Sequence, residues 1–353
     1  MARGEAGARH GLSPVLTSPP RFGFFFWPYT SDYTTRMATL GEDLGWDLVG
    51  IADTPGNAMD VWVALALAAM RTERVPLAAC VTNLVTRQPA LTAGAAASVD
   101  AVSGGRLILG LGTGHSGVTN VGASSSSPEA FRRGLAFTRA LLAGERATLD
   151  GASAQLPPLG RRVPVYAAAS GPGALRTAGA VADGIFVNHG LAAAHVDWAR
   201  SLVAEGARET GRAVEDVDVW WIACLDVNER RDVALEKLGN ILGFVAAYVV
   251  GPAPEQRGVP PALVPAIRQL RQQYTTHRAK MDPALTRTLG VFDYLRGRLA
   301  IAGTPEDCIE QVRAALQAGA RNLMFTVSLA SDPVRTVELF GREVLPAVRR
   351  AGW

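Results

Sequence analysis

In GGRLILGLGTGHSGV, Gly104 to Val118, an apolar run dissolves into glycines and then delivers one histidine, His115. An imidazole gives or takes a proton near neutral pH. Gly112 and Gly114 grant more backbone freedom than an ordinary surface turn needs, with Thr113 between them. An isolated histidine is as a rule structural, whereas one that follows a glycine run at a strand end is a candidate for chemistry. A second motif, SGPG at Ser170 to Gly173, opens the helix-forming stretch PGALRTAGAVADG. A helix start presents unpaired N–H groups and a positive dipole end, and small residues there let a phosphate approach. Taken alone, the motif reads rather as a plain Ser N-cap with proline in the first turn.

Two further sets of residues bound the chemistry. No two of the five histidines have a spacing suited to a metal, so no metal site is expected. Cys80, Cys224 and Cys308 lie far apart without CxxC spacing, which points to a reducing, cytoplasmic compartment.

The elements that position these residues are legible from Arg21 onward. Eight β-rich runs, RFGFFFW, DLVGIAD, VPLAACVTN, RLILGLG, VPVYAAAS, GIFVNHG, VDVWWIACLD and RNLMFTVSL, alternate with helical patterns. Eight such units predict an α/β fold, a (β/α)₈ TIM barrel more than an open doubly wound sheet. Chemistry in that fold gathers at the C-terminal strand ends. Those ends hold Asp53, Cys80 to Asn83, Gly112 to His115, Ser170 to Gly173, and Asn188 with His189. In strand seven, Trp220 and Trp221 are expected to face opposite sides, one into the barrel and one toward the helices. ATLDGASAQL reads as a hairpin insertion on its Asp-Gly turn. Residues 240–300 read as a helical insertion beside the mouth, an independent subdomain being the alternative. Residues 1–20 read as a disordered leader, and 21–353 as one domain.

Composition excludes several classes. The 353 residues are 48% hydrophobic and 19% charged, and 35 basic against 32 acidic side chains leave a net +3. That balance makes no case for nucleic acid or a membrane surface. LGFVAAYVV at 242–250 comes closest to a membrane span but is far too short.

Two longer stretches, VTNLVTRQPALTAGAAASVDAVSGGRLILGLGTGHS and AAASGPGALRTAGAVADGIFVN, resemble the bacterial luciferase-like monooxygenases and the deazaflavin-dependent reductases related to them. The resemblance spans the chain from Arg21. It implies a barrel that binds reduced FMN or the deazaflavin coenzyme F-420, with the ring at the mouth and the phosphate near Ser170, Gly171 and Gly173. It implies a non-proline cis peptide at Cys80-Val81, a bulge that backs the ring. The Cys80 thiol is otherwise read as a small buried hydrophobe. Asp53 then stands beside the ring, accepting a hydrogen bond or positioning substrate, unless it merely leads a helix in DTPGN. Asn83 bonds the pyrimidine edge or holds the loop that ends in Pro89. Gly112, Thr113 and Gly114 pass close to the cofactor, and His115 projects toward substrate, protonating a hydride-transfer product or stabilising a peroxide adduct.

Departures from the family limit the substrate. The methylene-tetrahydromethanopterin reductases carry an acidic residue where Phe25 stands. The sugar-phosphate dehydrogenases have histidine at Thr54 and glutamate at His115, so neither substrate is transferred. The aromatic wall of Phe24, Phe25, Phe26, Trp27 and Tyr29 points to an apolar or aromatic small molecule, with alternate residues on that strand packing inside and outside the barrel. RQLRQQYTTHR reads as a solvated helix face more than a phosphate clamp, contact with an acidic coenzyme tail being the alternative. The leading expectation is a monooxygenase using reduced FMN and O₂, with a flavin reductase as the source of reduced FMN. A hydride-transfer enzyme using coenzyme F-420 is the alternative, and a non-catalytic flavin-binding barrel the second. DVWVALALAAM predicts a homodimer through barrel helices.

Overall fold

The structure is a computed structural model that describes residues 19–352. The expected leader, residues 1–20, lies almost wholly outside the described residues.

Eight parallel strands close on themselves in chain order: β1 Phe22–Phe26, β2 Leu48–Ile51, β3 Leu77–Asn83, β4 Leu107–Gly112, β7 Val165–Ala169, β8 Gly184–Val187, β9 Asp218–Val227 and β11 Leu323–Thr326. β11 pairs with β1, Phe22 opposite Leu323, and this completes the (β/α)₈ barrel. Each of these strands falls within one of the eight β-rich runs, save that β9 extends one residue past its run, to Val227. The other strands are β5 Ala147–Leu149, β6 Ala152–Ala154 and β10 Ala300–Gly303. β5 and β6 form the Asp-Gly hairpin, Asp150 and Gly151 both turning through positive φ.

β10 begins where the stretch read as a helical insertion, roughly 240–300, ends, and is a strand that the sequence reading did not include. β9 is ten residues long, and while β11 covers Trp221 to Cys224, β10 pairs with Cys224 to Val227 beyond it. Four residues, AIAG, are too few to show a strand period. The rest of the insertion is helical, with helices at Leu238–Val249, Val264–Gln273, Leu285–Thr288 and Phe292–Leu299. Helix Leu238–Val249 is apolar on nearly all sides because it is buried on nearly all sides.

Two apolar layers follow from strand alternation. Phe22, Phe24, Phe26 and Trp221 pack outward against the helices. Leu48, Cys80, Tyr166, Phe186, Trp220 and Met324 fill the barrel. Trp220 and Trp221 therefore divide as their register requires. The expected aromatic wall is corrected on the same ground: Phe24 and Phe26 belong to the outer layer, while Phe25, Trp27 and Tyr29 join a third cluster with the insertion at the mouth.

The interior needs a missing side chain at Gly110. β3 and β4 lose register between Ala79 and Thr82, where the Cys80-Val81 peptide is cis. A Cβ at Gly110 would collide with the Ala79 carbonyl and lie 2.9 Å from Val81 Cγ1. Among the described residues no helix is long and apolar enough to cross a membrane. Gly110→Ala is expected to cost about 1–3 kcal/mol of stability by overpacking the bulge. Urea unfolding checks this, and an unchanged midpoint would contradict it.

Candidate active site

The ends of β2, β3 and β4 meet around a short helix, Ser116–Thr119. Thr82 Oγ1 donates to Asp53 Oδ2 at 2.6 Å. Burial raises the Asp53 pKa, and the Thr82 bond opposes that rise. Asp53 does not lead a helix, since Asp60 caps the next one by accepting from the Trp62 and Val63 amides. The buried Asn83 holds its loop: Oδ1 accepts from the Val85 and Thr86 amides, both at 2.9 Å. A Cβ at Gly117 would stand 2.8 Å from the Asp53 carbonyl and 3.4 Å from Asn83 Nδ2, so this helix packs against both residues at Gly117.

The glycine run answers to the chain's own packing. A Cβ at Gly112 would lie 3.1 Å from Val81 Cγ2, on the bulge, and Gly114, at φ +99, would collide with Val118. Thr113 contributes its carbonyl, which accepts from Ser126 N at 2.9 Å and Ser126 Oγ at 3.0 Å.

His115 stands in an aromatic cage supplied by the insertion. Its ring meets Tyr248 at 4.6 Å and Phe244 at 5.1 Å, and lies parallel to Tyr274. Nε2 is 2.7 Å from the Tyr274 hydroxyl. Burial first, then the Arg271 charge, lowers the His115 pKa to about 4. Tyr248 also links this group to β8, accepting from Asn188 Nδ2 at 3.1 Å.

A second group forms at the start of helix Pro172–Val181. Its N-cap is Gly171, with no side-chain cap, so the reading of Ser170 as a capping serine is corrected. The Ser170 carbonyl instead accepts from Arg257 Nη1, which also bonds the Val249 carbonyl at 3.0 Å. A Cβ on Gly171 would collide with the Arg257 guanidinium, while one on Gly173 would meet open space. Arg298, buried, donates to the Arg257 carbonyl at 2.7 Å and to the His189 carbonyl at 3.0 Å. Among the described residues no carboxylate pairs with Arg257 or Arg298. His189 is buried beside Arg298 and stacks on Trp198 at 4.1 Å.

Phe244, Tyr248, Arg257, Tyr274 and Arg298 were not singled out as site residues. All lie on the insertion, and the one available signal was LGFVAAYVV, a helix apolar all round beside a barrel mouth.

The family model described as "Luciferase-like monooxygenase" matches residues 16–322. The chain belongs to this family. It is 32% identical over 341 residues to 5,10-methylenetetrahydromethanopterin reductase of Methanolobus tindarius, covering 92% of this chain and 99% of that one. It is 26% identical over 358 residues to an F-420-dependent glucose-6-phosphate dehydrogenase of Nakamurella multipartita, covering 95% and 98%. The structure of the coenzyme F-420-dependent tetrahydromethanopterin reductase of Methanopyrus kandleri superposes with a TM-score of 0.72 at 23% identity, over 94% and 100%, and shares the fold. This luciferase-like protein is thus an oxidoreductase on a barrel common to reductases and monooxygenases.

The depressed His115 pKa makes a specific expectation. Folded and unfolded values of about 4 and 6.5 mean that the neutral ring favours the fold, an advantage present above about 6.5 and lost as pH falls toward 4. NMR of the His115 ring is expected to show no titration between pH 8 and about 5. A midpoint near 6.5 would contradict this account.

Proposed function

We propose that the protein is a hydride-transfer oxidoreductase using coenzyme F-420 on an apolar or aromatic small molecule. The observation that carries this reading is the near full-length match to F-420-dependent glucose-6-phosphate dehydrogenases. These relatives support the deazaflavin, the alternative drawn from the sequence, better than reduced FMN with O₂. The monooxygenase reading stays second on the strength of the family description.

The residues present fit a phosphate-bearing coenzyme. Arg257, half-buried and without a carboxylate, stands against Gly171 at a helix N-terminus, and Gly173 leaves space beside it. Arg257 with the Gly171 to Gly173 backbone would hold the phosphate, and the Cys80-Val81 bulge would back the ring. When bound, the coenzyme supplies a hydride donor or acceptor. Asp53, kept in place by Thr82, orients ring or substrate. His115, neutral at working pH, exchanges a proton with a substrate oxygen. Phe25, Trp27, Tyr29 and Phe244 exclude water and present an apolar surface. Phe25, Thr54 and His115 depart from the methanopterin and sugar-phosphate enzymes, which argues for a different substrate.

The three cysteines are free and buried, in keeping with a reducing, cytoplasmic compartment. Val63 and Met70 on helix Val61–Arg71 are 52% and 75% exposed, and Leu91 and Val102 on the neighbouring helix Pro89–Val102 are 63% and 54% exposed. Such an apolar face supports a homodimer through these helices. Sedimentation is expected to give a dimer at micromolar concentration, and a monomer there would reject it.

Fluorescence titration is expected to show F-420 binding more tightly than FMN, with Arg257→Ala weakening it by about 10-fold or more through loss of a charge-assisted bond. Preference for FMN, with turnover that consumes O₂, would move the reading to the monooxygenase.

A further inference from the structure

Tyr274 follows helix Val264–Gln273 on the insertion and is 159 residues from its partner His115 in sequence. Its ring is parallel to the imidazole within 7°, at a centroid distance of 5.8 Å. Phe244 and Tyr248 close other sides of the imidazole. Tyr274 itself is half-buried and lines a cleft of about 210 Å³ together with Gln273, Thr275, Lys280 and Asp282. It therefore touches the cleft on one side and the histidine on the other.

The strap that carries Tyr274 is tied to the two loops that carry Asp53 and His115. Thr276 Oγ1 donates to Asn120 Oδ1 at 2.6 Å, on the β4 side. On the β2 side, Asn57 Nδ2 donates to the Thr276 carbonyl at 2.7 Å, and the Arg278 amide donates to Asn57 Oδ1 at 2.9 Å. The Arg278 guanidinium also covers the Tyr29 ring at 4.2 Å. These ties hold the hydroxyl in register with Nε2.

We propose that Tyr274 is the positioning residue for His115 and its proton relay to the cleft. The inference rests on the reading of His115 as the group that exchanges a proton with substrate. With Nε2 committed to Tyr274, Nδ1 is the nitrogen left for a substrate oxygen. In the reducing direction the electron pair travels with the hydride to the substrate carbon. His115 gives its Nδ1 proton to the resulting oxyanion while Nε2 takes the Tyr274 proton. Water in the cleft restores the phenol and leaves His115 as its Nε2–H tautomer; once product has left, Nδ1 takes a proton from water and Nε2 gives its own back through the Tyr274 oxygen to the cleft, which resets both side chains, and oxidation runs the same path backwards. The ionisable groups around the pair are Arg271, from the preceding helix, and Tyr248, with Lys280 and Asp282 lining the same cleft as Tyr274. Arg271 and burial both oppose an imidazolium, so a coupled transfer through a neutral ring suits this site better than a standing charge. A phenol fits that role where a carboxylate would have fixed the proton on the histidine.

Tyr274→Phe keeps the ring and removes the hydroxyl. In coenzyme-free protein labelled with ¹⁵N-histidine, wild type is expected to show one neutral His115 tautomer, with Nε2 the accepting nitrogen. In Tyr274→Phe the Nε2 resonance is expected to move to the position of an unbonded ring or a tautomer mixture. With F-420 and a substrate found by turnover screening, kcat is expected to fall by about 10²-fold, the lower end for acid–base help, with KM nearly unchanged. Unchanged His115 resonances, or an unchanged kcat in the phenylalanine variant, would overturn the proposal. Coenzyme titration of both proteins keeps the two questions apart: absence of F-420 binding in wild type counts against the proposed function, while the coenzyme-free NMR result still decides the pair.

Discussion

A half-buried arginine without a carboxylate is the constraint around which the mouth of this barrel is organised. Arg257 reaches from the insertion to the Ser170 carbonyl, beside the positive end of helix Pro172–Val181. Arg298 adds a second guanidinium, spent on the carbonyls of Arg257 and His189. Positive charge gathered this way is costly to desolvate unless an anion completes it. The phosphate of the proposed coenzyme would supply that anion in the open space at Gly173. The same arginine bonds the Val249 carbonyl, so it also fastens the end of helix Leu238–Val249 over the barrel.

That fastening connects the phosphate end to the reacting end. Helix Leu238–Val249 carries Phe244 and Tyr248, four residues apart and hence on one face, and both rings meet His115. Tyr248 continues to Asn188 at the end of β8. The imidazole is therefore kept neutral by residues the insertion provides, while its backbone is set by β4. Barrel strands fix where His115 stands, and the insertion buries the ring and keeps it neutral.

How much of this was legible in the sequence depended on the range of the interaction. The eight barrel strands were readable because each is a local run of β-forming residues followed by its own helix, and the hairpin because Asp-Gly is a local turn signal. The cis peptide at Cys80-Val81 came from family resemblance and could not be read from residue types. β10 has four residues and takes its structure from β9, which leaves no period to detect. Arg257 meets Ser170 across 87 residues and Tyr274 meets His115 across 159, and nothing local to either segment announces such a contact. The stretch RQLRQQYTTHR looked like a solvated face, and Arg268 and Arg271 are indeed exposed, yet Tyr274 turns inward at its end. Phe24 and Phe26 were named in the wall together with the expectation that alternate residues of that strand pack inside and outside, and it is these two that turn outward. Gly112 and Gly114 were assigned to a cofactor; the neighbours a Cβ would meet in this structure are Val81, tightly, at Gly112 and Val118, in collision, at Gly114.

The central claim is that the insertion and the SGPG helix together hold a coenzyme phosphate. A crystal structure of the protein with F-420 bound tests it most directly. The account predicts the phosphate within hydrogen-bond distance of the Arg257 guanidinium and the Gly171 to Gly173 backbone, with the ring against the Cys80-Val81 bulge. A phosphate bound elsewhere, with Arg257 still on the Ser170 carbonyl and the helix N-terminus empty, would contradict it.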